Sequence, residues 1–288
     1  MAVTGNIMLE IKSLGKTFSL KRDKKRKSDG GSDPREEGML FHALRNVDFT
    51  VQQGNILGLI GANGAGKTTL MRILATSLKP TVGSVSLLGF DIVNDADEVR
   101  KRIGFLSGST GLYNRLNAEE LLNFYGRLYG LPEDELKFRI EVLFAELEIH
   151  DFAHRRIEGL SAGMKQRISI ARSLIHSPEF IIFDEPTTGL DVPSAQIILS
   201  YIQKYKNAGK SVIFSTHHMH EIEKLCDQVV LIHKGVTCFS GTVGQMKQKT
   251  NCTHLDDAYL ALTGEDPSKR MAKVQSKKIA AEEAGVGP

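Results

Sequence analysis

Tryptophan is absent, and cysteine is scarce: Cys226, Cys238 and Cys252 are the only three in 288 residues. Their separations offer no paired metal-ligand spacing. An odd number with no secretory leader argues against a disulfide framework and for a reducing compartment. Met1 opens a polar stretch, not a basic segment followed by an apolar one, so no signal peptide is expected. A long apolar run is also missing. No stretch approaches the ~20 residues a membrane-crossing helix needs, so the chain is not expected to cross a bilayer by itself. Nor is there a large excess of charge. A net charge of +3 is too small by itself to imply a nucleic-acid partner, and none is expected.

What is present is a globular composition, 41% hydrophobic, in a chain long enough for a sizeable core. Ile7 to Leu14 reads as a short strand. "SLKRDKKRKSDGGSDPREEG" (Ser19 to Gly38) has no apolar periodicity and a dense basic block from Lys21 to Lys27. It is expected to be a long solvated loop, an insertion over about 19–40. The alternative role for the block is contact with anionic lipid or an acidic partner loop. Phe41 to Val51 is expected to be a strand, and Ile56 to Ile60 a strand buried on both faces. Leu70, Ile73, Leu74 and Leu78 recur at helical spacing, ended by Lys79-Pro80. Ser84 to Leu88 and Ile103 to Leu106 are strand candidates. Asn117 and Glu120 form a capping-box start to a helix with an apolar stripe of Leu121, Phe124, Tyr125 and Leu128. A second helix carries Leu136, Ile140, Leu143 and Leu147. Helices from about Ala162 to His176 and Pro193 to Asn207 alternate with the strands Phe180 to Asp184, Ser211 to Ser215 and Val229 to His233. Alternation of this kind predicts a parallel α/β sheet with an inserted helical lobe over about 108–165. From 265 to 288 large apolar residues almost vanish, and a disordered tail is expected.

"GANGAGKT" (Gly61 to Thr68) lies between the apolar strand and the first long helix. Gly61, four residues, then Gly66, Lys67 and Thr68 is the phosphate-loop pattern in the context its mechanism requires. A phosphate chain needs several backbone N–H groups pointing inward at once, and side chains there would block it. The helix beginning near Lys67 turns its positive end toward the anion. Lys67 can reach terminal phosphates, and the Thr68 hydroxyl can ligate Mg²⁺. Ala62, Asn63, Gly64, Ala65 and Thr69 complete the candidate cradle.

"FIIFDEPTTGLD" (Phe180 to Asp191) ends a buried strand in two acids. Asp184 can hold Mg²⁺ through water, and Glu185 can polarise an attacking water. In "LSAGMKQR" (Leu160 to Arg167), Ser161 begins a helix followed by small residues, a second anion-binding end. Two such ends are too many for one nucleotide. The natural solution is two chains, each lending its second end to the other's first.

These residues together resemble the ATP-binding subunits of ABC transporters, over roughly Ile7 to Gly264. "GANGAGKT" is similar to the Walker A motif, "FIIFDE" to Walker B and "LSAGMKQR" to the family signature, with Ala162 where glycine is usual. Asp191 in "GLD" resembles the D-loop and His217 in "STHHMHE" the switch histidine. Phe18 stands where an aromatic stacks on adenine. The resemblance implies a RecA-like α/β core with an antiparallel β subdomain and an inserted α-helical subdomain. It implies a head-to-tail dimer with two ATP and Mg²⁺, in which Ser161, Ala162, Gly163 and Asp191 serve the partner's nucleotide. It also implies a separate integral-membrane permease facing the helical lobe, at the cytoplasmic face of the membrane. One departure stands out. The family's metal-touching glutamine after the "IGFL" strand aligns with Gly108, leaving Ser109, Ser107 or Thr110 as substitutes. "SGSTGLYNRL" and "FYGRLYGL" resemble the sodium-efflux type, close to the drug-export group, and sodium is the expected substrate. A soluble ABC-type ATPase acting on nucleic acid or ribosomes would show two cassettes or sustained heptads, which are lacking here. A binding-only cassette is disfavoured by Glu185 and His217.

Overall fold

The computed structural model describes residues 7–20, 33–108 and 111–264. The basic block Lys21–Lys27, the substitutes Ser109 and Thr110, and the tail 265–288 lie outside the described residues.

In chain order, β1 (Ile7–Ser19), β2 (Glu36–Glu37) and β3 (Leu40–Gln52) lead into β4 (Ile56–Ile60) and α1 (Lys67–Leu74). Then come β5 (Val82–Leu87), β6 (Phe90–Asp91), α2 (Ala96–Arg102) and β7 (Ile103–Leu106). Two consecutive helices follow, α3 (Ala118–Leu128) and α4 (Glu133–Glu146), then α5 (Ala162–Leu174), β8 (Phe180–Asp184) and α6 (Val192–Asn207). The chain continues through β9 (Ser211–Ser215), α7 (Met219–Leu225), β10 (Gln228–His233), β11 (Val236–Gly241), α8 (Val243–Thr250) and α9 (Leu255–Thr263).

The strands form two sheets. One is antiparallel, in the order β2-β3-β1-β5-β6; the other runs β11-β10-β4-β9-β8-β7 and is parallel except for the β10–β11 hairpin. The unbroken apolar runs in the parallel strands follow from the strand period of two. Ile56 and Ile60 of β4 face a core shared with α3 to α6, whereas Leu57 and Leu59 face a second core shared with α1 and the antiparallel sheet. Phe183 and Ile182 of β8 divide between the cores in the same way. Because β4, β8 and β9 are parallel neighbours or next-neighbours, their carboxyl ends open on one edge, where ligands of open α/β sheets gather.

Several expectations are corrected. β1 runs on to Ser19, and its register shifts between Ile11 and Leu14 and again around Lys16. Those bulges break the alternation that would have shown its length. Order resumes before Phe41, because Glu36 and Glu37 pair with Phe41 and Leu40. α1 ends at Leu74, not near Lys79: Thr76 takes φ 56°, and the Ser77 and Leu78 amides both donate to the Arg72 carbonyl. α5 likewise stops at Leu174, short of His176. The capping box at Asn117 and Glu120 is formed. Only half of the expected stripe packs, Leu121 fully and Tyr125 partly. Ala118, Leu121, Leu122 and Gly126 are buried, while Phe124 is 45% and Leu128 66% exposed. Gly126 explains the rotation, since any Cβ there would overlap Leu136 of α4, so the two helices meet through the glycine face. β6, α2, α7, β11, α8 and α9 had not been expected at all. Among the described residues no helix is long and apolar enough to cross a membrane.

Candidate nucleotide site

The loop between β4 and α1 has the geometry of an anion cradle. Gly64 and Gly66 take φ 78° and 117°, conformations that L side chains rarely adopt. A Cβ on Gly66 would come within 2.8 Å of the Ala43 carbonyl, and one on Gly61 would overlap the Ile232 carbonyl. The glycines therefore serve both curvature and close packing against β3 and β10. Lys67 opens α1 and is 5% exposed. Its Nζ donates to the Gly61 carbonyl at 2.6 Å and the Ala62 carbonyl at 3.3 Å. Burial lowers the pKa of this ammonium, opposed by the charges of Glu185 and Asp184. Ala65 is buried, Ala62 and Thr69 are half-buried, and Asn63 and Thr68 are exposed.

The two acids arrive from β8. Asp184 is buried and its Oδ1 accepts the Ser215 hydroxyl at 2.7 Å. The same Ser215 oxygen accepts the Glu185 amide at 2.8 Å, so one hydroxyl at the end of β9 fixes both acids. Glu185 takes φ 52°, a left-handed backbone that costs a non-glycine residue about 1 kcal/mol. That turn leaves Glu185 Oε1 3.9 Å from Lys67 Nζ, while its Oε2 accepts the Thr188 hydroxyl at 3.1 Å. His217 follows the next strand end, exposed, with its ring 4.1 Å from that of His218. A groove of about 420 Å³ is lined by Gly61, Ala62 and Asn63 together with His217, Met219 and residues of α9, among them Asp256 and Tyr259. The fold thus brings the glycine loop, Asp184, Glu185 and His217 to one sheet edge.

Ser161, Ala162, Gly163 and Asp191 form a separate group. Ser161 is exposed and caps α5, accepting the Met164 amide at 3.3 Å. Asp191 caps α6, accepting the Ser194 amide at 2.7 Å, and the hydrogen bonds from Ser194 lower its pKa. A Cβ on Gly163 would lie 2.6 Å from Ser194 Oγ, so the starts of α5 and α6 press together there. Gln166 of α5 donates to the Pro186 carbonyl at 2.9 Å, tying this group to the loop after Glu185.

Phe18 is 39% exposed near the end of β1, paired across the sheet with Phe41 and with Lys16 Nζ 5.2 Å from its ring centroid. Among the described residues a Cβ on Gly108 meets nothing within 4 Å, and Ser107 is buried. Oxygen donors suit Mg²⁺, and Thr68 and Asp184 supply them. Among the described residues no cluster of three or more His, Cys, Asp or Glu competes for a metal.

Two residues behind the acid pair and His217 escaped sequence reasoning. Ser215 was read only as a strand end. Glu221 of α7 is 2% exposed and accepts the Thr187 hydroxyl at 2.8 Å and the Thr216 hydroxyl at 2.7 Å. It joins the loop after Glu185 to the residue before His217. Its place four residues after His217 was the available signal, but a carboxylate on an amphipathic helix reads as solvated.

The profile described as ABC transporter matches residues 44–188. The ABC transporter ATP-binding protein NatA of Bacillus subtilis is 43% identical over 220 residues, 76% of this chain and 89% of NatA. The doxorubicin resistance ATP-binding protein DrrA of Mycobacterium tuberculosis is 35% identical over 211 residues, 73% of this chain and 64% of DrrA. A solved structure of an ATP-binding subunit of an ABC transporter superposes with a TM-score of 0.75 at 28% identity, over 89% of this chain and 99% of that one. A phosphate cradle with an acid pair beside its lysine, in a chain so related, identifies it as a member of the ABC transporter family, an ATP-binding subunit and ATP hydrolase.

Proposed function

We propose that this chain, over residues 7–264, drives export through a separate integral-membrane permease, hydrolysing ATP as a head-to-tail dimer peripheral to the cytoplasmic face of the membrane. The observation that carries the hydrolytic reading is the 3.9 Å approach of Glu185 to Lys67 at the mouth of the glycine loop. Gly61 to Thr69 bind the phosphates through backbone amides, Lys67 leaves the Gly61 carbonyl for the terminal phosphates, and Phe18 stacks on adenine. Thr68 and Asp184 would hold Mg²⁺, which would supply charge neutralisation on the phosphates. Glu185 orients the attacking water as general base, and His217 contacts the terminal phosphate. Ser161, Ala162, Gly163 and Asp191 face the nucleotide of the second copy, a reading supported by the exposure of Ser161, Ala162 and Asp191 at the starts of α5 and α6.

The helical subdomain, about 108–165, is the permease-facing part. Its exposed Tyr113, Phe124 and Leu128 support that reading, since the first two rings meet at 6.0 Å and Leu128 lines one groove with Phe124, and a contiguous exposed apolar patch marks an interaction surface. Sodium is the proposed substrate, on the likeness of "SGSTGLYNRL" and "FYGRLYGL" to the sodium-efflux type. Purification from membranes through a tag on this chain should recover an integral-membrane partner. Inverted vesicles holding both should then accumulate radioactive sodium on addition of ATP. Accumulation of doxorubicin in place of sodium would replace the substrate, and recovery of the chain alone would remove the permease.

A further inference from the structure

Of the segment between β1 and β3, the described end from Asp33 is fastened to the glycine loop. Arg35 lies just before β2 with its guanidinium over the Phe41 ring, 4.7 Å from the centroid. Its Nε and Nη2 donate to the two carboxylate oxygens of Asp33 at 3.0 and 2.7 Å, and its Nη1 donates to the Gly64 carbonyl at 2.6 Å. The paired guanidinium holds the Asp33 carboxyl down to about 2. The side chain is 14% exposed, so the fork is set by contacts on three sides: ring, carboxylate and carbonyl.

The contact with Gly64 matters because of what a phosphate cradle requires. Every peptide plane in such a loop can present either its N–H or its C=O to the anion, and an inward carbonyl repels phosphate. Gly64 takes φ 78°, and a Cβ there would meet nothing within 4 Å among the described residues. Its carbonyl shares one peptide unit with the Ala65 amide, which donates to the Ala62 carbonyl at 3.0 Å, and glycine reorients more easily than any other residue. Arg35 holds the carbonyl end of that unit. A charge-assisted hydrogen bond from a donor already locked by Asp33 and Phe41 holds the Gly64 carbonyl toward the hairpin and away from the cradle. In the same loop the Ala65 amide is turned to the Ala62 carbonyl at 3.0 Å and the Ala65 carbonyl accepts the Gly235 amide at 2.8 Å. Gly64 is thus braced from the hairpin while Ala65 is braced from the β10–β11 turn.

We propose that Arg35, supplied by the segment inserted between β1 and β3, is a positioning residue of the nucleotide site that sets the Gly64 peptide for phosphate binding. The inference rests on the reading of Gly61 to Thr69 as the ATP cradle. It makes Asp33 and Arg35, at the described end of that segment, part of the ATP site, since anything that shifts them acts on ATP affinity, and ATP acts back on them by linkage.

The test is equilibrium titration of the full chain with a fluorescent ATP analogue, alongside steady-state hydrolysis. Arg35→Met keeps the stem over Phe41 and removes every donor. Its Kd and KM for ATP should rise roughly tenfold, the scale of a lost charge-assisted bond, while kcat stays within about twofold and the melting temperature is unchanged. Arg35→Lys, which can reach one carbonyl but cannot fork onto Asp33, should fall between the two and serves if the methionine variant does not fold. Wild-type affinity in either variant overturns the proposal. Lys67→Ala separates the two failures: if it and the wild-type chain titrate alike, the nucleotide site itself is wrong, not the role of Arg35.

Discussion

Glu185 has two constraints on its carboxylate and one on its amide, from Lys67, Thr188 and Ser215. Glu185→Gln keeps the shape and removes the basicity. ATP turnover should fall roughly 10²-fold or more, the scale of a lost general base, with ATP affinity retained. Near wild-type turnover would sink its assignment as the base. Gly108 is the opposite kind of residue, one with space around it. Its backbone is not left-handed and a Cβ meets nothing among the described residues, so Gly108→Gln should fold with an unchanged melting temperature, read by calorimetry. A loss of several degrees would mean that the loop needs glycine. The residues of the glycine loop and of β8 were legible because their chemistry sits in one contiguous stretch. Arg35, Ser215 and Glu221 were not, since each acts through a partner about 29 to 34 positions away that no local pattern announces.

At the scale of elements, the fully buried strands β4, β8 and β9 were legible at their exact bounds, because burial on both faces leaves no polar position to blur the ends. β1 and α3 were misjudged for physical reasons: bulges hide the period of one, and a glycine contact rotates the other. The connection between β9 and α7 depends on Glu221. Removing its carboxylate in Glu221→Ala leaves the buried Thr187 and Thr216 hydroxyls without their acceptor, at about 1–3 kcal/mol. Because Thr216 precedes His217 and Thr187 follows Glu185, kcat should fall about tenfold while ATP still binds, on the scale of misplaced catalytic groups. An unchanged kcat in the folded variant would show that the link is only structural. His176, beyond the end of α5, ties the helical lobe to β7. It stacks on Tyr129 at 3.9 Å and its Nε2 donates to the Ile103 carbonyl at 2.9 Å. Burial is the main cause lowering its pKa from 6.5 to about 4, with Arg139 and Lys210 adding to it. Between those values the unfolded chain binds the proton and the folded chain does not. Its contribution is therefore complete above pH 6.5 and lost as the pH falls toward 4, by up to about 3 kcal/mol. Denaturant melts across that window should show the loss, and His176→Phe should flatten it. An equal slope in the variant would assign the pH dependence to other groups.

For the whole molecule, two cores share one parallel sheet, and the strand that begins the nucleotide site lies inside that sheet. β4 pairs with β10 on one side and β9 on the other, through residues such as Gly58 with Val229 and Phe214. Both partners lie more than 150 positions further along the chain, so the order in which a ribosome delivers the protein acquires a consequence. Throughout the synthesis of α1 to α6, β4 has neither edge covered, and the carbonyl of Ile232 that backs Gly61 does not yet exist. An apolar strand with two bare edges invites foreign pairing, the hazard that chaperones counter during translation. Nascent chains arrested at successive lengths should gain ATP-dependent protease resistance in one step, only after β10 has emerged. Chains stopped after β8, though they carry the glycine loop and both acids, should gain none. Protection of those shorter chains by ATP would mean that the cradle forms before its flanking strands.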